Sequence, residues 1–487
     1  MKYDVRTESW IPVRTLSGEK KVLGMEALFR EAPQLEGLDG LDVMVEYSLY
    51  RFLTVFLMAA YKPALWDDKY DILEQGSFDI DVLNKYIQHC MDHEVSFDLF
   101  DSKRPFLQAF ADPAYDDDKT GIKSVACLDN TRASGNNPIH FDHHLEEEVS
   151  FTPAQALRGL LAAQFFCTAM SGGYPSNVNG APPLFFLPKG ENLFETLVLA
   201  MVSADPQNMG TPLWESEREI VPREEVTAAS LLYGMLFPSR RLRLIEYEGT
   251  VRQVYYQPGL HFTGFAGWTD PHVAYRVSRK DGTIFSIKPS TEREIWRHIG
   301  PIEERFDQCA PKVIREFGKI QEERGKTDMP IMAFGVATSN ASFLDMQRGM
   351  IRLDSRIADK PAKAGFLAQA VELTEKAASV LQLSLRNMIS PQDSKRGDSE
   401  IRQYMHRYFS ECEKEFYGLE ATLAGADRDY KEISKGWQGC IKKIARRTAE
   451  LVRQNYCYRA ADLVRAQKAD DWLNRELFKL MKGESRA

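Results

Sequence analysis

The sequence predicts an α+β protein in two parts: a large mixed N-terminal domain, residues 1–357, and an all-α C-terminal four-helix bundle, residues 358–487. Two observations predict this class. In the first part, segments with apolar residues at helical spacing alternate with short β-type segments that form small antiparallel sheets. Beyond Pro361, four long segments with helical spacing follow one another with short connections, which is typical of an antiparallel bundle.

The first elements carry clear local signals. Trp10–Arg14 and Lys20–Leu23 flank Ser17-Gly18, a pattern typical of a β-hairpin. Asp42–Ala60 has apolar residues at helical spacing and predicts a long helix. Because Arg51 interrupts its apolar run, a buried helix is favoured over a membrane span.

A well-capped helix is predicted to separate two unusual loops. Thr152-Pro153-Ala154-Gln155 is a capping box with Pro at the first helical position, and the apolar pattern continues to Phe166. Asn130–Glu148 precedes this helix and Thr168–Pro183 follows it. Both stretches are rich in Gly, Asn and Pro, which favour loops over regular structure.

The second of these loops, TAMSGGYPSNVNGAPP, contains no charged side chain in a protein that is 27% charged. Such a composition predicts a shaped loop on a rigid base. Without a Cβ, Gly172 and Gly173 are able to adopt positive φ and let a ligand approach their N–H groups. The alternative is an ordinary connection between a helix and a strand.

The rest of the first domain is predicted to be rich in β-structure. Hairpin turns are expected near Glu248-Gly249 and at Asp281-Gly282, the second of type I′. Ile331–Ala337 and Phe343–Leu353 are predicted to pair, with residues 338–342 as an exposed tip. Further elements predicted in this domain are a strand at Leu184–Leu187 and helices at Leu193–Val202, Ala228–Phe237 and Ile302–Arg324.

The C-terminal part is predicted to contain four helices and two polar breaks. The helices are expected at Ala362–Met388, Ile401–Phe416, Asp427–Tyr456 and Ala460–Met481. The breaks are expected at Ser390–Glu400, which contains Pro391, and at Gly418–Gly425. Basic residues in the third segment fall largely on one side of the helix: Lys442, Lys443, Arg446, Arg447 and Arg453. Such a face could neutralise DNA phosphates, or it could simply be solvated.

Charge and cysteine content restrict the possible functions. The net charge of −8 excludes a protein coated in positive potential, so any contact with nucleic acid must be local. From Pro361 onward, however, basic residues exceed acidic ones by about five. The seven cysteines are scattered, with no C-x-x-C pair, and the N-terminus resembles no secretion signal. Together these features predict a cytoplasmic protein.

Catalytic signals are weak. Phosphate-binding, dinucleotide-binding and nucleophile-elbow motifs are absent from the sequence, and no cofactor is expected. The HFDHH stretch leaves one alternative open: a metal-dependent nuclease that uses His140, Asp142 and His143. Its spacing matches no known metal-ligand pattern, so a non-catalytic binding protein is favoured.

Several short motifs, in their order and spacing, resemble one family: the large subunit, CasA, of the type I-E CRISPR Cascade surveillance complex. They span the whole chain: SWIPVRTLSG at Ser9–Gly18, RPFLQ at Arg104–Gln108, SGNNPIHF at Ser134–Phe141, SGGY at Ser171–Tyr174, WTDPH at Trp268–His272 and SNAS at Ser339–Ser342. The four-helix tail agrees with the same architecture.

The resemblance implies roles for three of these motifs and for the basic residues of the bundle. Phe141 would engage the protospacer-adjacent motif (PAM), and the backbone at Gly172, Gly173 and Tyr174 would approach it from the minor groove. The tip would wedge between the first base pairs; it comprises Ser339, Asn340 and Ala341. The basic residues of the bundle would hold phosphates. The implied partners are double-stranded DNA, the crRNA-containing backbone and small subunits of Cascade, and a separate helicase–nuclease; no membrane is implied.

This sequence departs from the family pattern at two places of functional interest. At the wedge position, Asn340 is shorter than the Gln that the resemblance implies. The resemblance implies a lysine that reaches the PAM near Gly259, but no lysine occurs in residues 251–267. Arg252 and Gln257 are the candidates to replace it. A purely structural subunit is a third alternative.

Overall fold

A computed structural model describes residues 1–116, 121–129, 131, 149–264, 268–278, 280–299, 309–339, 342–358, 360–389, 394–427 and 430–482. Helix accounts for 51% of the chain and strand for 19%, with small antiparallel sheets and a helical C-terminal region. The predicted α+β class is therefore confirmed.

The chain divides into two compact units. One contains Met1–Ile295 and Phe306–Ile351, and the other contains Trp296–Arg305 and Arg352–Ala487. No pattern in the sequence predicted the short excursion of the chain into the second unit. The boundary expected after residue 357 stays a prediction.

The strands are short except for two hairpins. They comprise Ile11–Thr15, Lys20–Leu23, Leu35–Leu38, Ile122–Ser124, Phe185–Pro188, Glu225–Val226, Arg240–Tyr247, Thr250–Pro258, His261–Phe262, Tyr275–Val277, Ile284–Ser286, Asp328–Ser339 and Ser342–Asp354. Where the described residues define how two strands pair, the pairing is antiparallel, except that Glu225–Val226 runs parallel to His261–Phe262. The N-terminal hairpin predicted at Ser17-Gly18 is confirmed.

The helices surround these sheets or form the second unit. In the first unit they are Met25–Glu31, Val43–Tyr61, Trp66–Gln75, Ile80–Asp92, Pro113–Asp116, Pro153–Phe165, Leu193–Ala200, Pro206–Met209, Leu231–Met235 and Lys312–Glu323. In the second unit they are Ser355–Ala358, Pro361–Ile389, Ser394–Gly425, Lys431–Tyr456 and Ala460–Met481. Of the helix expected at Ile302–Arg324, the described residues contain Lys312–Glu323, with Pro311 as its N-cap; residues 300–308 lie outside the described ones.

Val43–Tyr61 forms the centre of the first unit. Asp42 caps it by accepting hydrogen bonds from two backbone N–H groups of the first turn. By length and composition the helix could cross a membrane, but 83% of its most apolar window lies inside the folded unit. Arg51 is buried and pairs with the equally buried Asp270 at 2.8 Å. The predicted buried helix is confirmed.

The hairpin Arg240–Tyr247 and Thr250–Pro258 supplies the largest antiparallel pairing. Its two-residue turn, Glu248-Gly249, has positive φ at both positions, 48° and 83°, as a type I′ turn requires. The turn predicted near these residues is therefore confirmed.

At Asp281-Gly282 the hairpin is present, but the predicted two-residue turn is wrong. The strands end at Val277 and resume at Ile284, so the connection has six residues. It closes instead through a hydrogen bond from the N–H of Ser278 to the carbonyl of Thr283 at 2.8 Å. The Asp-Gly pair indicated a hairpin correctly and its loop length incorrectly.

The second unit contains the four predicted long helices, but the break expected at Gly418–Gly425 is wrong. The helix Ser394–Gly425 continues through it, because Phe416, Leu419 and Leu423 keep a buried apolar face beyond the glycine. Burial outweighs the low helix propensity of one glycine. The same helix already begins at Ser394, so the second half of the break expected at residues 390–400 is also helical.

Candidate nucleic-acid interface

The glycine loop, residues 168–183, begins directly after the capped helix. The predicted capping box is present: the Thr152 hydroxyl accepts from the Gln155 N–H, and the Gln155 side chain accepts from the Thr152 N–H. The helix ends at Phe165, and the loop leads into the strand Phe185–Pro188. The loop predicted on a rigid base is confirmed.

Gly172 and Gly173 form an exposed turn in this loop. Their φ angles are 81° and 76°, which glycine adopts readily and other residues avoid. The turn is closed by a hydrogen bond from the N–H of Met170 to the carbonyl of Tyr174 at 3.2 Å. A Cβ on Gly172 would meet only the Tyr174 ring, at 3.7 Å. The turn therefore exposes backbone with little side chain around it.

Arg223 lies against this turn. Its Nη2 donates to the carbonyl of Gly172 at 2.6 Å. Its Nε is so near Gly173 that a Cβ there would be 2.6 Å away. Arg223 itself has a φ of 66°, and its N–H donates to the carbonyl of Gly259 at 2.8 Å. An exposed guanidinium and the glycine backbone thus share one surface.

Arg240 holds the loop from below. This fully buried side chain donates from Nη1 to the Pro175 carbonyl at 2.5 Å and from Nη2 to the Thr168 carbonyl at 2.6 Å. A further bond from Nη1 reaches the carbonyl of Ser239 at 2.9 Å. Bonds of a charged donor to buried carbonyls are among the stronger ones in proteins, so both sides of the glycine turn are fixed.

A tyrosine pair connects the loop to the sheet. The Tyr174 hydroxyl donates to the carbonyl of Tyr256 at 3.0 Å. The Nζ of Lys123 lies 4.8 Å and 4.5 Å from the ring centroids of Tyr174 and Tyr256, within cation–π distance. Lys123, Arg223 and Arg240, named here the cation cluster, make no ion pair with a carboxylate of the described residues. The loop is therefore a local positive site on an acidic protein.

The far end of the loop is fixed by a buried polar network. Asn179 Nδ2 donates to Asp270 at 2.9 Å, and Asp270 pairs with Arg51. Burial would raise the pKa of Asp270, but the neighbouring Arg51 holds it below its ordinary value. His272, in the same network, donates from Nε2 to the carbonyl of Ala200, so its Nδ1 accepts from a tyrosine hydroxyl. Burial lowers the pKa of His272 to about 4, so this imidazole is neutral.

The strand that leads to the predicted hairpin tip belongs to the sheet of Phe185–Pro188. The strand Asp328–Ser339 pairs antiparallel with Phe185–Pro188, with Phe334 opposite Phe185. Its last residue, Ser339, is exposed and lies five residues beyond Phe334, about 17 Å at an ordinary strand rise. Because the two strands are antiparallel, this extension passes beyond Phe185, the end of the neighbouring strand at which the glycine loop enters. Asn340 and Ala341 lie outside the described residues.

The other predicted loop lies mostly outside the described residues. This applies to Phe141 and to the proposed nuclease residues His140, Asp142 and His143. Within the described ranges, no group of three or more His, Cys, Asp or Glu residues could hold a metal ion. All seven cysteines are described, and none forms a disulfide.

The basic helix face, Lys442, Lys443, Arg446 and Arg447, belongs to the second unit. Lys443, Arg446 and Arg447 are exposed, and Lys442 is half-buried. Arg446 bonds the amide of Asn474, and Arg447 is 3.9 Å from Glu411, so these side chains are only lightly engaged. Arg453 differs, because two bonds of 2.8 and 2.9 Å commit it to Glu450. Its predicted role with phosphate stays a prediction.

The two candidates for the missing lysine differ in their exposure. Gln257 is buried, where it donates to the Tyr115 carbonyl and accepts from Arg241. Arg252 is exposed and lies over the ring of Tyr247, beside the hairpin turn. Gln257 is therefore wrong as an exposed replacement. The residues that do contact the loop were missed, because Arg223 and Arg240 lie more than 45 residues away in sequence with no local motif.

The fold is that of a large CRISPR-associated protein. The structure of Thermus thermophilus CasA (Cse1) matches with a TM-score of 0.80 and 22% identity, covering 98% of this chain and 99% of that one. A chain described as CRISPR RNA-guided surveillance complex matches with a TM-score of 0.75 and 19% identity, covering 98% and 99%. By sequence, the CRISPR-associated protein CasA/Cse1 of Thermus thermophilus is 29% identical over 401 residues, 78% of this chain and 76% of that protein.

The sequence defines the family. The family model described as CRISPR-associated protein Cse1 matches residues 4–448, most of the chain. This protein belongs to the Cse1 (CasA) family. The family predicted from the short motifs is thus confirmed.

Proposed function

We propose that this chain is a non-catalytic DNA-recognition subunit of a type I-E CRISPR Cascade ribonucleoprotein in the cytoplasm. It recognises the PAM in double-stranded DNA, helps to start unwinding and R-loop formation, and recruits the helicase–nuclease that degrades the target in antiviral defence. In this division of labour, guide RNA held by the other subunits reads the target by base pairing, while this chain reads the short flanking motif.

The exposed glycine turn is the observation that carries this proposal. The minor groove is about 6 Å wide, so backbone without a Cβ enters it more easily than a bulky side chain. Gly172 and Gly173 present such backbone, and Arg240 holds it in place before any ligand arrives. The cation cluster supplies local positive potential despite the net charge of −8. Because the minor-groove pattern is degenerate, several related motifs are expected to be accepted.

The hairpin tip has a role that fits its position. Since its strand passes beyond Phe185, the end of the neighbouring strand at which the glycine loop enters, the tip at Ser339–Ala341 would act on base pairs next to the recognised motif. A polar residue between base pairs unstacks them at a cost of a few kcal/mol. The basic helix face would then hold phosphates of the separated strands.

The assembly partners are inferred from the family. A relative of the same fold is described as part of a CRISPR RNA-guided surveillance complex. By this likeness, we expect the chain to assemble with the crRNA-containing backbone and small subunits. The helicase–nuclease would bind the resulting complex, so DNA cleavage would not be performed by this chain.

The decisive test replaces Gly172 with Asp in the reconstituted complex. A carboxylate at the turn would repel the phosphates and fill the groove, so motif-dependent duplex binding should be lost while assembly is retained. Gly249→Asp is the matched control: Gly249 is exposed, has a φ of 83° and has no atom within 4 Å of its Cβ position. It introduces the same charge and the same backbone strain at a different turn.

Binding would be measured by mobility shift with duplexes that carry or lack the motif. The proposal is contradicted if Gly172→Asp binds like wild type. It is also contradicted if Gly249→Asp loses binding equally, since a general charge effect would then suffice. Loss of assembly in both variants would favour the purely structural subunit.

A further inference from the structure

Arg223 occupies a special position beside the glycine turn. Its guanidinium bonds the carbonyl of Gly172 and packs on the Cα of Gly173. Whatever ligand the backbone of this turn approaches, the guanidinium approaches with it. The side chain is exposed, although a φ of 66° makes this backbone position unfavourable for any residue except glycine.

Most of the hydrogen-bonding capacity of this guanidinium is unused. Arginine has five N–H donors, and the contact with Gly172 engages Nη2 alone. The neighbouring Glu224 does not neutralise it, because that carboxylate bonds Arg218 at 2.9 Å. Arg223 therefore presents a planar set of donors and a full charge beside exposed backbone.

We propose that Arg223 enters the minor groove together with the glycine turn and donates hydrogen bonds to the base edges of the flanking motif. This inference rests on the proposed function and adds a side chain that discriminates between bases. Every base pair offers acceptors in the minor groove, A N3 and T O2 among them, whereas guanine adds the N2 amino donor. A guanidinium carries donors only, so it disfavours a G·C pair at the position it contacts. In addition, the negative electrostatic potential of a narrow minor groove attracts the positive charge of arginine.

Lys123 is positioned for a different contact. Its ammonium lies against the rings of Tyr174 and Tyr256, 4.8 and 4.5 Å from their centroids. From there it would meet the sugar–phosphate backbone instead of the base edges. The two cations therefore have separable roles: Lys123 contributes affinity without sequence preference, and Arg223 contributes the preference.

The test uses the reconstituted complex with Arg223→Gln and a duplex library with randomised flanking bases. Glutamine has an acceptor as well as donors, so it tolerates the guanine amino group. Discrimination against G·C pairs at one flanking position should fall by roughly five- to a hundredfold, the effect of losing one specific base contact. Arg30→Gln, which removes a positive charge from an exposed position of the helix Met25–Glu31, should leave the preference unchanged.

A second variant guards against a folding artefact. Arg223→Gly relieves the positive φ and keeps the N–H bond to Gly259, so the backbone should remain as it is. It should relax the base preference as Arg223→Gln does. Thermal unfolding of both variants would verify that the first unit is intact.

Three results would overturn the inference. Uniformly weaker binding, with a salt dependence lower by about one and an unchanged base preference, would make Arg223 a phosphate contact instead. If both variants keep the wild-type base preference and affinity, Arg223 has no role in DNA binding. The proposed function would still stand in that case, because the wild-type complex discriminates between flanking bases. If the wild-type complex itself ignores the flanking bases, the proposed function fails, and the role of Arg223 fails with it.

Discussion

Replacing Arg240 with Met would test whether a buried cation shapes the glycine loop. The methionine fills similar space but removes the donors to the carbonyls of Thr168, Pro175 and Ser239. A buried carbonyl left without a partner costs about 1–3 kcal/mol. The carbonyl of Ser239 keeps a second donor, the N–H of Gly259 at 3.1 Å, so the two carbonyls left without one give roughly 2–6 kcal/mol. We therefore expect local destabilisation of about 3 kcal/mol.

Hydrogen exchange measures this quantity directly. A loss of about 3 kcal/mol in local opening free energy corresponds to roughly a hundredfold faster exchange. The amides to monitor are those of Met170, which closes the turn, and Asn177, which bonds the Cys167 carbonyl. Arg252→Met, at an exposed position on the neighbouring strand, should change little.

The same variant has a functional consequence. Arg240 is fully buried and unable to touch DNA, yet loosening the turn should weaken motif-dependent binding by the assembled complex. The reasoning is refuted if Arg240→Met leaves exchange at Met170 and Asn177 unchanged. It is equally refuted if exchange accelerates while motif binding is fully retained, because the loop would then need no preformed shape.

Three further predictions concern the core, the tip and the bundle. The pKa of His272 is lowered to about 4, so on acidification the unfolded chain binds a proton at a higher pH than the folded chain does. The unfolding free energy should therefore fall by roughly 3 kcal/mol as the pH drops from 6.5 to 4. Urea titrations should show a smaller pH dependence in His272→Gln. Asn340→Ala should bind the motif but open DNA poorly, as measured with a fluorescent base analogue next to the motif. Charge reversal of the basic helix face should flatten the salt dependence of binding by about 0.9 for each phosphate that is no longer neutralised, whereas Lys376→Glu, at an exposed ion pair of the bundle, should not.

Local signals predicted the scaffold of the site. The capping box at Thr152 and the loss of helical pattern after Phe166 depend on neighbours in sequence, so the helix and its loop were both predicted. The positive φ of Gly172 and Gly173 follows from the absence of a Cβ. The hairpin with its tip near Ser339 was likewise predictable from alternating apolar residues.

The parts of the site that the sequence did not predict depend on contacts between residues far apart in the chain. Arg240 lies 72 residues from its partner Thr168, and Arg223 lies 51 residues from Gly172. No pattern in one sequence connects such pairs. Packing also overrode propensity at Gly418, where the buried face of the helix determines its length.

The absence of a carboxylate partner for Arg240 among the described residues would explain how the loop forms the proposed binding surface. Had an aspartate neutralised this buried charge, the loop carbonyls would have been free to turn towards water. Instead, the carbonyls of Thr168 and Pro175 solvate the guanidinium, so the loop must be in place for the arginine to be buried. Their inward orientation leaves the glycine turn outermost, with uncompensated positive charge beneath it. Loop shape and local potential thus arise from one residue, and on a protein of net charge −8 this makes a narrow, negatively charged groove a suitable ligand.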